Sequence, residues 1–402
     1  MSKIIIIGAG PSGIIAALQA VKKHEVILLE RNEQCGKKIL LTGNGKCNYW
    51  NEKIDVTKYQ TDDVNILEKI LDKTNQENVF EYLESIGIYP RVKNGYYYPY
   101  SNQASSIRKI LLSELKRQKI EIITDFKVEN IYYENKKFLI TSNHGKVLQA
   151  DKIILATGSK ATPKTGSDGS GYILASKLGH TVNTVTPALS PLIAKENFLK
   201  DWNGVRAEVK ISLYINDKKI KEETGEIQLT NYGISGICTF NISGIVSKNL
   251  KLNNDVYVKI NFFPYFNSDF YNFLEIRNKK MKDHTIEELL ESIINYKLMF
   301  VLLKKANINK SDKWDDLSKK EKMKLCNTIE AFKLKIYDTA DFDKAQVCTG
   351  GISLKEINSN TMESKIVPNL FLVGELLDVD GNCGGFNLAF AWISGYLAGK
   401  GV

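Results

Sequence analysis

Gly8, Gly10 and Gly13 stand in the spacing G-x-G-x-x-G, directly after the apolar, β-branched run at residues 4–7. That run reads as a buried parallel strand. Residues 14–22 carry helical apolar spacing, and residues 26–29 form a second apolar strand ending at Glu30. Each glycine has a task in such a strand–turn–helix–strand unit. Gly8 permits the tight turn, Gly10 lets the backbone approach a diphosphate, and Gly13 lets helix and strand pack closely. With Pro11 and Ser12 they open a helix whose free N–H groups carry roughly half a positive charge, which suits phosphate. Glu30, with Arg31 beside it, falls where a carboxylate can accept both ribose hydroxyl protons. An acid there disfavours a 2′-phosphate, so NADP is not expected at this site.

The motif alone fits NAD or FAD, and three further stretches favour FAD. Residues 35–48, CGKKILLTGNGKCN, follow the acid at once. Lys38, Thr42 and the Gly43-Asn44-Gly45 loop can present charge and backbone N–H groups to a second phosphate or to the flavin. Residues 152–163 read as a strand ending in Ala156-Thr157-Gly158. A three-stranded meander near 125–132, 136–141 and 146–150 precedes it, with Val128 on its first strand. The third stretch is GELLDVDGNCGGFNLAFAWISG, residues 374–395. Gly374-Glu375 follows an apolar strand at 370–373, and with Asp378 its carboxylate can meet the ribityl hydroxyls that NAD lacks. Gly384-Gly385 opens a helix over 386–398, with Phe386 and Asn387 in its first turn and Gly399 or Gly401 as its stop. That N-terminus can face the flavin N1–C2=O edge, where the reduced ring is anionic.

A length of 402 residues favours two or three domains. Charged residues make up 25% and the net charge is +9, but the lysines are scattered, so they read as a solvated surface and a nucleic-acid partner is not expected. The six cysteines, Cys35, Cys47, Cys238, Cys326, Cys348 and Cys383, form no C-x-x-C pair. Reduced thiols of a cytoplasmic protein are the expectation. The apolar N-terminus is broken by Gly8, Pro11 and Gly13, unlike a signal peptide. No apolar run approaches the ~20 residues that cross a bilayer. His24, His144, His180 and His284 lack metal-ligand spacing, so no metal is expected.

The chain resembles the bacterial BaiN-like flavoproteins, also known as aminoacetone oxidase family FAD-binding enzymes. The resemblance runs almost end to end. It rests on GAGPSG (8–13), GKKILLTGNGKCN (36–48), ATGSKATPKTGSDGSGY (156–172), GEIQLTNYGISG (225–236), TGG (349–351) and MESKIVPNLFLVGELLDVDGNCGGFN (362–387). The chain departs from the family pattern at Lys46, Asn231, Ile237, Phe386 and Ala389, where Arg, His, Pro, Tyr and Gln are usual. The resemblance implies an α/β fold with a discontinuous, two-dinucleotide-fold-type Rossmann FAD domain. Its expected limits are 1–190 plus 346–402, interrupted by a β-rich domain at 191–265 and a small helical domain at 266–345.

Within the insertion, residues 209–221 read as a hairpin turning at Asn216-Asp217, with further strands at 225–229 and 255–263. Helical segments follow near 269–280, 285–306 and 317–332. Tyr232, with Asn231 beside it, is the candidate proton donor, since its ordinary pKa near 10 suits that role. TNYGISG also reads as a plain packed turn. Residues 95–102, GYYYPYSN, either line a planar pocket or form a hairpin edge before a helix capped near Ser101 or Asn102.

The expected function is an FAD-dependent oxidoreductase. NAD(P)H would bind transiently as electron donor, because no second G-x-G-x-x-G follows a strand. Hydride would pass through flavin N5 to an activated C=C or C=N bond of a small organic substrate. The alternatives are an amine oxidase using O₂, an RNA-modifying flavoprotein, or a non-catalytic flavin-binding protein. Oligomeric state is left open.

Overall fold

A computed structural model describes residues 1–265 and 269–402; the expected start of the helical segment at residue 266 lies outside them. The chain divides into two compact units, Met1–Thr186 with Ala345–Val402, and Pro187–Lys344.

The first unit is built on a five-stranded parallel sheet. Its order is Leu370–Leu372, Lys152–Leu155, Lys3–Ile7, Glu25–Leu29, Glu121–Ile123. Ile5 pairs with Ile27 on one side and Ile153 on the other, and Ile153 pairs in turn with Leu370. Beyond a charged first residue in four of them, these strands are apolar, and the inner ones are buried, as in a sheet covered on both faces. The helix Pro11–Ala20 leaves the first strand, and nine of its ten residues are buried. The long helix Phe386–Gly401 packs on it through glycines one turn apart. A Cβ on Gly395 would lie 2.3 Å from the Ser12 carbonyl oxygen, and one on Gly399 would lie 2.4 Å from that of Ala16. Gly399 is therefore an inner contact of a helix that runs on to Gly401, not its stop.

Two antiparallel pieces complete this unit. The meander is Val128–Glu134, Lys137–Ser142 and Val147–Ala150. A smaller sheet joins Trp50–Asn51, Tyr96–Pro99 and Pro90–Lys93. The helix after it, Ala104–Arg117, is not capped at Ser101 or Asn102: its N-cap is Gln103, and Ser101 Oγ is 2.8 Å from Ser106 Oγ instead.

The second unit holds a seven-stranded antiparallel sheet, ordered Phe332–Lys335, Val256–Asn261, Arg206–Ile215, Lys218–Thr230, Gly233–Ser235, Leu192–Ile193, Asp338–Thr339. The hairpin's return strand and the strand expected at 225–229 are one continuous element, because Arg206–Ile215 pairs along nearly its whole length. The segment expected as one helix over 285–306 is two, Ile286–Leu290 and Tyr296–Ala306. Side chains from 191–265 and from the helices beyond share one hydrophobic core around Trp202, Trp314 and Phe332.

Candidate functional site

The site begins at the turn between Lys3–Ile7 and Pro11–Ala20. Gly8 sits at φ 105°, and a Cβ there would lie 2.4 Å from the Ala156 carbonyl oxygen. A Cβ on Gly13 would lie 1.9 Å from the Gly8 carbonyl oxygen. A Cβ on Gly10 would meet nothing within 4 Å. Two of the three glycines therefore serve protein packing, while the middle one borders open space of the kind a diphosphate needs. Among the described residues no side chain caps this helix, and Pro11 occupies its first turn. The amides of Ser12 and Gly13 are left for an anion.

Glu30 closes the turn from the next strand. Its Oε2 accepts from the Ala9 amide at 3.1 Å, and its Oε1 accepts from the Asn32 amide and side chain at 2.9 and 2.8 Å. A carboxylate has about four lone-pair directions, so one remains for a ribose hydroxyl. Arg31 turns away to pair with Asp168 and to donate to the Gly166 carbonyl at 3.4 Å.

The stretch 35–48 docks on this turn through the Gly36 amide, which donates to the Ala9 carbonyl at 2.8 Å. Within it Gly43, Asn44, Gly45 and Cys47 all adopt positive φ. A backbone wound this tightly at the surface is a local strain of the kind found at ligand clamps. Thr42 Oγ1 donates back to the Ile39 carbonyl at 2.6 Å. Lys38 reaches Glu375, with its Nζ 2.5 Å from Oε2. Ser159 Oγ donates to the same carboxylate oxygen at 3.0 Å. The three stretches singled out in the sequence thus meet at one carboxylate. Ser159 lies in the quoted 152–163 stretch, but a lone serine after a glycine carries no local signal of this role.

Gly374 is held between the two helices. Its amide donates to Ser394 Oγ at 3.0 Å, and a Cβ on it would lie 2.6 Å from Ser12 Oγ. Gly385, at φ 94°, opens the last helix without a side-chain cap among the described residues. Asn387 clamps Gly381 at both its N–H and its C=O, each at 2.8 Å. The Phe386 carbonyl accepts from Tyr59 Oη at 3.0 Å. A Cβ on Gly384 would lie 2.5 Å from the Tyr96 ring, so the hairpin of residues 95–102 borders this loop.

Four of the expected residues have close protein neighbours of their own. Asp378 is buried, accepting from Asn183 Nδ2 at 2.8 Å and the Gly350 amide at 3.0 Å. Val128 is buried in the core of the first unit. The Thr157 hydroxyl is covered by the helix start at Gly171, and Gly158 packs on Ser167. Burial pushes the nearby thiols up, Cys47 to about 12 and Cys348 to about 11.

Asn231 and Tyr232 belong to the second unit. They form the turn between Lys218–Thr230 and Gly233–Ser235, where the Tyr232 carbonyl accepts from the Ala194 amide at 2.9 Å. The Lys344 ammonium lies 5.3 Å from the Tyr232 ring centre.

Comparison with known proteins agrees with this architecture. Residues 2–401 match the family model described as the HI0933-like protein Rossmann domain. A 3-dehydro-bile acid delta(4,6)-reductase of Clostridium scindens is 39% identical, the alignment covering 100% of this chain and 98% of that protein. A ribosomal RNA dihydrouridine synthase of Escherichia coli is 24% identical over 98% and 96% of the two chains. In fold, the chain is similar to a flavocytochrome c3 fumarate reductase, with a TM-score of 0.53 and 15% identity over 100% of this chain and 78% of that one. The residues around Gly10, Glu30 and Glu375 fit the FAD that such a Rossmann flavoprotein implies. The chain belongs to the HI0933-like family and is an FAD-dependent oxidoreductase.

Proposed function

We propose that this chain is a reductase that adds hydride to an activated C=C bond of a small organic substrate, with NAD(P)H as the transient electron donor. The observation that carries the reading is the meeting of Lys38, Ser159 and Glu375 beside the turn that holds Gly10. The name of the Clostridium scindens relative, a delta(4,6)-reductase, favours C=C over C=N.

FAD, when bound, supplies the hydride chemistry. The chain's part is to bind and orient it. The amides of Ser12 and Gly13 would hold the diphosphate, and Glu30 would accept from a ribose hydroxyl. Glu375, fixed by Lys38 and Ser159, would hold the ribityl chain. The amides opening Phe386–Gly401 would offer the positive end of a helix dipole to the ring edge, where a fixed dipole stabilises negative charge without reorganising. Tyr232, with Asn231 beside it, is the residue we assign to hold the proton that the substrate receives.

The test is anaerobic mixing of the flavin-loaded protein with NADH and with NADPH, followed by a conjugated enone, an imine or O₂. Bleaching by a nicotinamide and rapid recovery of the yellow colour with the enone are expected. Failure of both nicotinamides to bleach it sinks the reading, and faster recovery with O₂ than with the enone makes the protein an oxidase.

A further inference from the structure

A tyrosine-rich hairpin, residues 89–100, stands in the first unit beside the Gly384-Gly385 loop that opens Phe386–Gly401. Its turn is Asn94-Gly95, at φ 53° and 79°, the left-handed pair that a two-residue hairpin turn requires. The turn fixes the register. Lys93 stands opposite Tyr96 and Arg91 opposite Tyr98, and one pair further on the Tyr100 amide donates to the Tyr89 carbonyl at 2.9 Å. Side chains alternate along a strand. Tyr97 turns inward, where its ring meets that of Phe80 edge-on at 5.5 Å. Tyr96, Tyr98 and Tyr100 share the other face with Lys93, Arg91 and Tyr89 across the ladder.

That face starts at the Gly384-Gly385 loop and runs outward. The Tyr96 ring borders Gly384, and Asn51, on the strand paired with Tyr96, donates from Nδ2 to the Gly384 carbonyl at 2.8 Å. Tyr98 is half-buried; loss of solvent raises its phenol above the ordinary value, and the neighbouring Cys383 and Tyr96 add to the rise. At the far end Tyr89 and Tyr100 are 69% and 66% exposed, with their ring centres 5.9 Å apart. Four residues of strand put Tyr100 about 13 Å from Tyr96. Arg91 and Lys93 stand exposed between the two ends, and neither has a carboxylate partner among the described residues. The Glu52 carboxylate lies against Gly95 at the turn. Charges on an edge strand deter stray pairing. That accounts for Arg91 and Lys93, but not for two large rings left in water beside them.

We infer that this face holds the adenosine diphosphate half of the nicotinamide dinucleotide while the nicotinamide delivers hydride to the flavin. The inference rests on the reading of the protein as an NAD(P)H-linked reductase. A dinucleotide whose nicotinamide reaches the flavin has to carry its phosphates and adenine away over neighbouring surface. The hairpin meets each in turn: Lys93 and Arg91 for the diphosphate, then the Tyr89–Tyr100 pair as a stacking surface for adenine. The planar fork of Arg91 matches phosphate oxygens two at a time. Exposed rings and exposed cations release a ligand as readily as they dock it, which a transient donor needs. The diphosphate is common to NADH and NADPH, so the face serves either.

The test uses the full flavin-loaded chain. Anaerobic stopped-flow reduction by NADH and by NADPH gives an apparent Kd and a limiting rate. Calorimetry with ADP-ribose, which lacks the nicotinamide, reads docking without reaction. Arg91→Gln is expected to raise the apparent Kd about tenfold, the size of one charge-assisted hydrogen bond, with the limiting rate unchanged. Tyr89→Leu with Tyr100→Leu is expected to raise it about fivefold or more through lost stacking. Both changes should weaken ADP-ribose by the same factors. Lys116→Gln, an equal charge change in the last turn of Ala104–Arg117, is expected to leave these values as they were. Flavin absorbance and melting temperature check that each variant is folded. A larger loss with NADPH than with NADH supports the site and sets a cation on the 2′-phosphate. Normal bleaching of the flavin with the same apparent Kd in all variants overturns the inference. So does a raised KM for the enone with the nicotinamide Kd unchanged, which gives the face to the substrate. If neither nicotinamide bleaches the flavin, the reductase reading fails and ADP-ribose decides: binding weakened by Arg91→Gln keeps the face as a nucleotide site, and no binding overturns it.

Discussion

Lys38 and Glu375 form an ion pair at 2.5 Å across 337 positions of sequence. Both side chains are about four-fifths buried, at 19% and 21% exposure, so the pair is shielded from most solvent screening. A charge-assisted hydrogen bond in such a setting contributes about 1.5–3 kcal/mol. Glu375→Gln keeps the shape and removes the charge. FAD affinity is expected to fall about tenfold, close to the lower end of that range. Equilibrium dialysis with absorbance of the retained flavin reads it, and an unchanged dissociation constant refutes the ribityl assignment.

The glycines separate packing from binding. Gly10→Ala adds a methyl where nothing lies within 4 Å, so the flavin-free protein is expected to melt as before while FAD binding weakens. Gly399→Ala pushes a methyl to 2.4 Å from a backbone oxygen that cannot rotate away. Overpacking of this kind costs about 1–3 kcal/mol. Calorimetry of the flavin-free proteins should show the loss for Gly399→Ala and none for Gly10→Ala.

The thiols should be inert in the folded protein. Desolvation pushes Cys35, Cys238 and Cys348 up to about 11, and Cys47 and Cys326 to about 12. At pH 8 about one in a thousand or fewer of each is thiolate, against roughly a quarter for a free cysteine. Alkylation at pH 8 is expected to be slow until denaturant is added. Rapid native labelling of Cys47 would reopen a redox role for it.

His180 gives a pH-dependent contribution to stability. It is buried between Glu356 Oε2, 2.8 Å from its Nδ1, and Ser364 Oγ, 2.9 Å from its Nε2. Burial lowers its pKa from 6.5, with the Glu356 carboxylate partly opposing. The unfolded chain therefore takes up the proton first, and ∂ΔG/∂pH is positive between the folded value and 6.5. The stabilisation is complete above pH 6.5 and fades as pH falls through the folded value. His180→Gln should flatten that part of the denaturation-midpoint profile; an identical slope in both proteins excludes His180 as its source.

The opening βαβ unit was legible because its evidence is local. Period, turn glycines and the acid at 30 all lie within one stretch, and the strands Lys3–Ile7 and Glu25–Leu29 fall within a residue of expectation. The meander and the last helix were legible for the same reason. What escaped depends on distant partners. Ser159 joins Glu375 across 216 positions, and no periodicity records that. Asp378 looked like a second ligand to the ribityl chain, yet Asn183 and Gly350 draw it inward. The hairpin looked short because its far half is polar; pairing with Arg206–Ile215 carries the strand on to Thr230.

The parallel sheet takes its outermost strand, Leu370–Leu372, from a segment translated long after its neighbour Lys152–Leu155. While the ribosome works through the intervening stretch, Ile153, Ile154 and Leu155 present a bare, oily rim that any extended polypeptide can zip onto. At about 5–20 residues per second that exposure lasts roughly 10–40 s. Slow codons placed before residue 370 would lengthen it, making recoverable yield in a cell a matter of translation tempo as much as of final stability.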